Sequence, residues 1–408
     1  MSTWSSKDLI GPEGEDWRVP VSELEARQLA LSAALRSNGQ DAALIQHPVD
    51  LYYFSGGRSD SSMLITADEA SPNTLFVRRS LKRAKWESGG NDSPHVVEPF
   101  PRLSTFAEHI GCTPSLQLGE VPHGFASRFQ KALNSNQDCT SLIHSLREIK
   151  SDWELEQMSI AADIQISMFE AIYEVGEIGM TELELVATAE AVSRASGFGG
   201  NVQMRRFPLQ CDRGVIVAGR AGGIPSFFDS AVGGTGPHPL SGMGAGFSTI
   251  KSGEPILVDL VHAHRGYVVD MTRMFSAGSL SEEWQRRLDD MIEIRDIVVD
   301  SLGNGEHCSE SWEKGFNTAV EMGYADHLMG LAPDQSRFLG HSVGLQLDES
   351  PVVAKGFDRE LPEGGVMAIE PKLVYQEGSI GTEDTWVRTS EGMQCISAGS
   401  DYHWIQEW

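Results

Sequence analysis

Four carboxylates stand where like charges would face one another. Asp259 and Asp270 are equidistant from the His264–Arg265 step, and Glu370 and Glu383 are equidistant from Gln376–Glu377. Each pair lies in apolar surroundings: Ile256, Val258, Val269 and Met271 around the first, Met367 and Ile369 beside the second. A regular hairpin over each run would set the two acids opposite each other on one face. Like charges so placed cost roughly 0.2–1 kcal/mol even in water, and more among apolar neighbours. Two such pairs ask for a cation. Gly340-His341-Ser342-Val343-Gly344 adds an imidazole. Asp259, Asp270, His341, Glu370 and Glu383 together carry four negative charges, which two divalent metal ions would neutralise. Two ions about 3.5–4 Å apart can share a hydroxide and polarise a carbonyl. Oxygen and nitrogen donors without cysteine suit manganese, cobalt, zinc or iron alike.

The same pentapeptide also fits the G-x-S-x-G turn of serine hydrolases, with Ser342 as nucleophile. That turn needs a strong strand before it, a helix after it, and Asp then His later in the chain. Only Phe338-Leu339 precedes it as an apolar run, 345–351 is not helix-like, and the one later histidine is His403. The serine reading ranks last. His262 and His264 resemble a metal clip but read as exposed polarity at a turn.

The ligands must be carried by two hairpins in corresponding places, and the chain supplies that order twice. Ser151 with Glu154, and Thr181 with Glu184, are spaced as capping boxes that open helices. A glycine-rich segment over 219–246 follows, longer than structureless loops usually are. Then come the apparent strands 255–261 and 267–276. Ser279 with Glu282 opens another helix, 309–323 reads as the next, and apparent strands 366–374 and 380–387 close the series. A pseudo-symmetric domain with its site between the halves is expected. Upstream, a helix over 22–37 starts on Ser22 and Glu25, and a second is expected over 80–88. Short apolar runs at 42–45, 51–54, 63–66 and 75–77 read as strands, so residues 1–145 form an α/β unit of their own.

The runs Ile256-Leu257-Val258-Asp259, Val269-Asp270-Met271-Thr272-Arg273, Gly340-His341-x-x-Gly344, Ala368-Ile369-Glu370-Pro371 and Thr382-Glu383-Asp384-Thr385 resemble the pita-bread metallopeptidases. That family includes Xaa-Pro aminopeptidases, prolidases and methionine aminopeptidases. The resemblance covers about residues 145–408; Leu51-Tyr52-Tyr53-Phe54-Ser55-Gly56-Gly57 resembles the N-terminal domain of the creatinase and Xaa-Pro branch. The implied architecture is α/β (α+β): a creatinase-type N-terminal domain over 1–145, and a pita-bread domain with a pseudo-twofold curved antiparallel sheet over 146–408. The implied activity is that of a dinuclear metal-dependent hydrolase, an Xaa-Pro aminopeptidase or dipeptidase using a metal-bridging hydroxide. Alternatives are a lyase or small-amide hydrolase on the same metal scaffold, and a metal-free binding protein. The expected cofactor is two divalent ions, manganese first, with cobalt, zinc or iron as alternatives. Glu370 matches the general base, and His238 in Gly236-Pro237-His238-Pro239 matches a substrate-contacting histidine. Two positions depart from the family pattern. Asp348 stands where a second histidine is usual, and Gly381 where Xaa-Pro enzymes often carry arginine. Asp348 is kept as a candidate catalytic residue, and slow cleavage of Xaa-Pro dipeptides is expected. The resemblance also implies a homodimer and a small peptide or amide substrate.

Composition agrees with an enzyme of small molecules. The 408 residues are 40% hydrophobic and 22% charged, ordinary globular values. The formal net charge of −26 disfavours nucleic acid and anionic membrane surfaces. Residues 1–17 lack a basic patch followed by an apolar run, so no signal peptide is expected. No stretch approaches the roughly 18 apolar residues of a membrane span. Cys112, Cys139, Cys211, Cys308 and Cys395 are scattered and form no Cys-x-x-Cys pair, which reads as reduced cytoplasmic cysteine.

Overall fold

The structure, a computed structural model, describes residues 11–206, 214–397 and 403–408. Cys211 lies outside them, as do the first ten residues of the stretch read for a leader. The chain divides between Arg147 and Glu148 into two compact units. No helix among the described residues is long and apolar enough to cross a membrane.

The first unit is built on a mixed five-stranded sheet, in the order Val96–Pro99, Thr74–Val77, Ser61–Thr66, Ala42–Ile45, Ser115–Leu116. Three of the four apolar runs read as strands are strands. The fourth, 51–54, lies in the helix Pro48–Ser55. Short apolar runs do not distinguish the two states by periodicity. Here Pro48 presets the first turn, Asp50 favours the N-terminal end, and Gly56, with φ 78°, closes the helix in the left-handed region. The opening helix runs Val21–Ser37 from Pro20 without a side-chain cap, so Ser22 and Glu25 lie inside it and form no capping box.

One buried ion pair ties this unit together. Asp50 is wholly buried, and Arg147 donates to its Oδ1 at 2.8 Å while Gln117 donates to Oδ2 at 2.7 Å. Burial would push the Asp50 carboxyl up, but Arg147 and His47 outweigh it and hold it at about 2. A carboxyl lowered on folding from 3.8 contributes stability above that value and loses it as pH falls toward the folded one.

In the second unit the expected series of helices and hairpins is present twice. Asp152–Val175 and Glu182–Ala195 open on the Ser151 and Thr181 capping boxes, each closed by its glutamate. Glu282–Gly303 is capped by Ser281, not Ser279, and is followed by Cys308–Glu321. The first hairpin, Ile256–His264 with Tyr267–Ser276, lies in a four-stranded sheet with Gly214–Ala218 and Ile405–Glu407. The second begins as Val366–Ile369 paired to Asp384–Thr389, inside a five-stranded antiparallel sheet that includes Phe338–Ser342. It continues as a separate ribbon, Lys372–Tyr375 with Gly378–Gly381. Leu288, Met291, Ile294, Val298 and Leu302 recur at helical spacing on Glu282–Gly303 and pack with Met367, Ile369, Leu373 and Ile380 of that hairpin.

The turn of the first hairpin lies one residue later than expected, which shifts the strand pairing by two residues. Its closing pair is His264 with Tyr267, so the turn is Arg265-Gly266, both with positive φ. That is the twist a two-residue hairpin loop needs, and Gly266 accepts it without strain. Asp259 therefore faces Thr272, and Asp270 faces Val261. The two acids still share a face, as diagonal neighbours. The second hairpin keeps the expected register, with Tyr375 facing Gly378 and Ile369 facing Asp384. His262 and His264 are buried on the strand rather than exposed at the turn; His262 Nδ1 lies 2.9 Å from Ser193 Oγ.

Replacing Asp50 with alanine leaves Arg147 buried without its carboxylate and is expected to cost about 3–5 kcal/mol. In the parent protein, amide-exchange protection of the strands Ala42–Ile45 and Ser115–Leu116 is expected to fall by about 2 kcal/mol between pH 4 and pH 2. The variant should lack that acid step, which exchange mass spectrometry measures.

Candidate metal centre

The two hairpins and the strand Phe338–Ser342 bring all five expected ligands together. His341 faces Ala368 across the sheet, one strand from Glu370. His341 Nε2 is 3.3 Å from Glu370 Oε1 and 3.9 Å from Asp270 Oδ2. Ligand atoms of Asp270, His341 and Glu383 all lie within 4.8 Å of one another. The hairpins are joined at this point: the Thr272 amide donates to the Glu383 carbonyl at 3.2 Å, and Thr272 Oγ1 donates to Glu383 Oε2 at 2.9 Å. Beside them Arg273 and Asp384, both fully buried, pair at 2.8 Å, and Arg273 also donates to the Glu383 carbonyl.

A sixth residue completes the cluster, and sequence reasoning passed over it. Lys372 Nζ donates to Glu370 Oε2 at 2.6 Å, Glu383 Oε2 at 2.7 Å and Asp259 Oδ2 at 3.0 Å. The available signal was a lysine two residues after Glu370, on the same strand face and leading an otherwise apolar run.

Charge and burial set the protonation of the cluster. Burial opposes the Lys372 charge, but Asp259, Glu370 and Glu383 push its ammonium well above the usual range. Burial would raise Glu370, yet Lys372 and His341 hold it at about 2. Burial, then Glu370, pushes Glu383 up to about 8. Burial, then Glu383 and Asp259, pushes Asp270 well up. His341 is lowered by burial but raised further by Glu370, to about 9. Four carboxylates thus outnumber one ammonium. Asp270 Oδ1 and Glu383 Oε1 are buried without a hydrogen-bond partner. Hard oxygen donors, one imidazole and two orphaned buried oxygens fit a divalent cation.

The centre forms the floor of a cavity of about 570 Å³. Asp259, Asp270, His341 and Glu370 face it; Met204, Phe228, Met243, Phe338 and Phe357 supply apolar wall; Arg205, Arg206, Arg337 and Lys355 supply positive charge. Asp348 lines the same cavity, but its carboxylate is engaged: it accepts from the backbone amides of Arg205 at 2.5 Å and Arg206 at 2.8 Å. A histidine at 348 has at most one acceptor nitrogen and could not accept from both amides. His238 is exposed in a tight turn, bridged to Ser241, and is not among the residues lining the cavity. Ser342 ends its strand buried, its hydroxyl without a partner, and no helix follows. That is not the exposed nucleophile of a serine hydrolase.

Comparison with known proteins agrees with this geometry. Residues 156–390 match Metallopeptidase family M24, and residues 27–149 match the Creatinase/Prolidase N-terminal domain. The chain belongs to metallopeptidase family M24, and it is a metallohydrolase of that family's pita-bread fold. It is 26% identical over 367 residues to an Xaa-Pro dipeptidase of Pyrococcus horikoshii, covering 88% of this chain and 93% of that protein. An Xaa-Pro dipeptidase of Lactobacillus delbrueckii subsp. lactis is 23% identical over 375 residues, covering 88% and 93%. Among solved structures, a dipeptidase from Mycobacterium ulcerans superposes with a TM-score of 0.78 at 19% identity, covering 96% of this chain and 100% of that one. The prolidase from Pyrococcus horikoshii OT3 superposes with a TM-score of 0.74 at 24% identity, covering 91% and 98%.

Asp348→Ala is expected to free the 205–206 backbone without unfolding the unit. Losing two bonds to a charged acceptor should speed tryptic cleavage after Arg205 and Arg206 by about tenfold or more. Peptide mapping of brief digests reads the rate, and an unchanged rate would remove Asp348 from this role.

Proposed function

We propose that the chain is a metal-dependent Xaa-Pro peptidase, cleaving small peptides in the cavity above the five-residue cluster. The observation that carries this reading is the convergence of Asp259, Asp270, His341, Glu370 and Glu383 at the floor of an apolar cavity in a member of family M24. Metal would be held within this group, where Asp270, His341 and Glu383 bring ligand atoms within 4.8 Å of one another, and manganese is the expected ion. When bound, such an ion polarises the scissile carbonyl and activates water near neutral pH. Glu370 is the general base: Lys372 engages its Oε2 and keeps it ionised, which leaves Oε1 to take the proton of the attacking water. His341 Nε2 lies 3.3 Å from that oxygen. The apolar walls suit a proline ring, and the arginines of the 205–206 loop suit a carboxylate end. Asp348 acts through that loop, as a positioning residue. The Xaa-Pro names of the relatives support this substrate class.

The homodimer belongs to the same reading. Phe227, Leu240 and Phe247 in the glycine-rich segment are 66%, 94% and 72% exposed, apolar surface that a second copy could cover. A cytoplasmic location is favoured by the four free cysteines among the described residues.

Purified enzyme is expected to cleave Xaa-Pro dipeptides or longer Xaa-Pro peptides, and chelation should lower the rate by about 100-fold or more, reversed by added manganese. Ser342→Ala should keep most activity. Undiminished activity after exhaustive chelation, or covalent labelling of Ser342 by a fluorophosphonate, would sink the reading. Discontinuous peptide assays with and without chelator decide it.

A further inference from the structure

Lys372 occupies ground that a metal would need. It is 1% exposed, at the start of the ribbon strand Lys372–Tyr375. An ammonium has three protons to give, and Lys372 has three carboxylate acceptors: Glu370, Glu383 and Asp259. All three are expected metal ligands. The ligand atoms it leaves lie on the other side of the cluster. Asp270 Oδ1 and Glu383 Oε1 are buried and unpartnered, and His341 lies with them inside the 4.8 Å group. The cluster therefore has two separable cation places. One, among Asp259, Glu370 and Glu383, is filled by Nζ. The other is bounded by Asp270, His341 and Glu383, and its Asp270 and His341 sides face the cavity.

We propose that this centre takes a single divalent ion, held by Asp270, His341 and Glu383, and that the Lys372 ammonium permanently replaces a second ion. The proposal rests on the metallopeptidase reading and fixes the number of ions within it.

Three observations carry it. Nζ sits 2.6–3.0 Å from its three oxygens, the spacing of charge-assisted hydrogen bonds. A metal needs those same oxygens at about 2.0–2.2 Å, so an ion bonded to them would overlap the ammonium and be repelled by it. The lysine also has nowhere else to go. Its side chain is buried along its length, and withdrawal would leave an ammonium without acceptors in the interior. Finally, the fold makes room for this side chain. Gly381 faces Lys372 across the ribbon. A Cβ there would stand 2.6 Å from Lys372 Cγ and 2.6 Å from the Pro371 carbonyl. A bare backbone at 381 is what lets the lysine stem cross to the carboxylates, so Lys372 and Gly381 act as a matched pair.

The division of labour follows from the oxygens. Glu383 gives Oε2 to Lys372 and keeps Oε1 for the ion. Glu370 gives Oε2 to Lys372 and turns Oε1 toward His341. Asp259 is tied to the ammonium and is not needed to hold metal. Lys372 is a positioning residue, which orients the base without touching substrate.

The test is metal stoichiometry of the full chain, reconstituted with manganese, dialysed and measured by elemental analysis. The parent protein should hold about one ion per chain, and Lys372→Ala, which opens the second place, about two. Lys372→Met, which fills that place without charge, should remain near one; it keeps the volume should the alanine variant fail to fold. Anomalous scattering from parent crystals should give one manganese peak beside Asp270 and His341. Two ions in the parent protein would overturn the proposal and leave the metallopeptidase reading standing. An alanine variant that folds yet holds no more metal than the parent would also overturn it. No bound metal in the parent, with no loss of activity on chelation, would overturn both.

Discussion

The constraint that organises this protein is the cost of burying several carboxylates in one place. Asp270, Glu370 and Glu383 are 5%, 6% and 1% exposed, and Asp259 joins them from the cavity side. Without compensation they would repel one another and take up protons. Lys372 supplies the compensation inside the fold, and the divided protonation follows from where it sits. The acid with two cationic neighbours, Glu370, is held ionised, while Glu383 and Asp270 are driven up. A centre made this way contains an ionised carboxylate and a place for added positive charge at once, both of which metal-dependent hydrolysis uses.

The surrounding structure keeps those charges in register. The left-handed Arg265-Gly266 turn sets Asp259 and Asp270 as diagonal neighbours rather than a facing pair, which separates two like charges while keeping both on one face. The second hairpin divides at Pro371, and its two ladders belong to different sheets, so Glu370 and Glu383 fall at the break. Proline has no amide to extend a ladder there. The buried Arg273–Asp384 pair and the Thr272–Glu383 contacts then fasten one hairpin to the other.

Chemistry and recognition are carried by different parts of the second unit. The floor of the cavity is built on strands, whose side chains are fixed by packing on both sides. The walls come largely from loops, including the 205–206 segment that Asp348 holds by its backbone. An acid at 348 therefore reads as a restraint on arginine-bearing loop, not as a defective copy of a histidine. Arg337 and Lys355 line the same cavity as that loop.

The sequence by itself determined the five residues that converge at the centre, the repeated order of helices and hairpins, the family, and the capping boxes at Ser151 and Thr181. These are local or periodic signals, and motif spacing carries them without reference to the rest of the chain. It misread 51–54, because a four-residue apolar run fits strand and helix equally, and the proline and glycine that decide the matter lie outside the run. It set the first turn one residue early, since hairpin symmetry alone cannot tell which two residues take positive φ. Only the tertiary structure decided that His262 and His264 are buried, that His238 stands outside the cavity and that Asp348 binds backbone. Only it showed Lys372 among the carboxylates. A lysine in a sequence is read as surface charge by default; what makes this one interior is its facing Gly381 and its meeting Glu383 and the distant Asp259 as well as the neighbouring Glu370, and that juxtaposition exists only once the chain has folded.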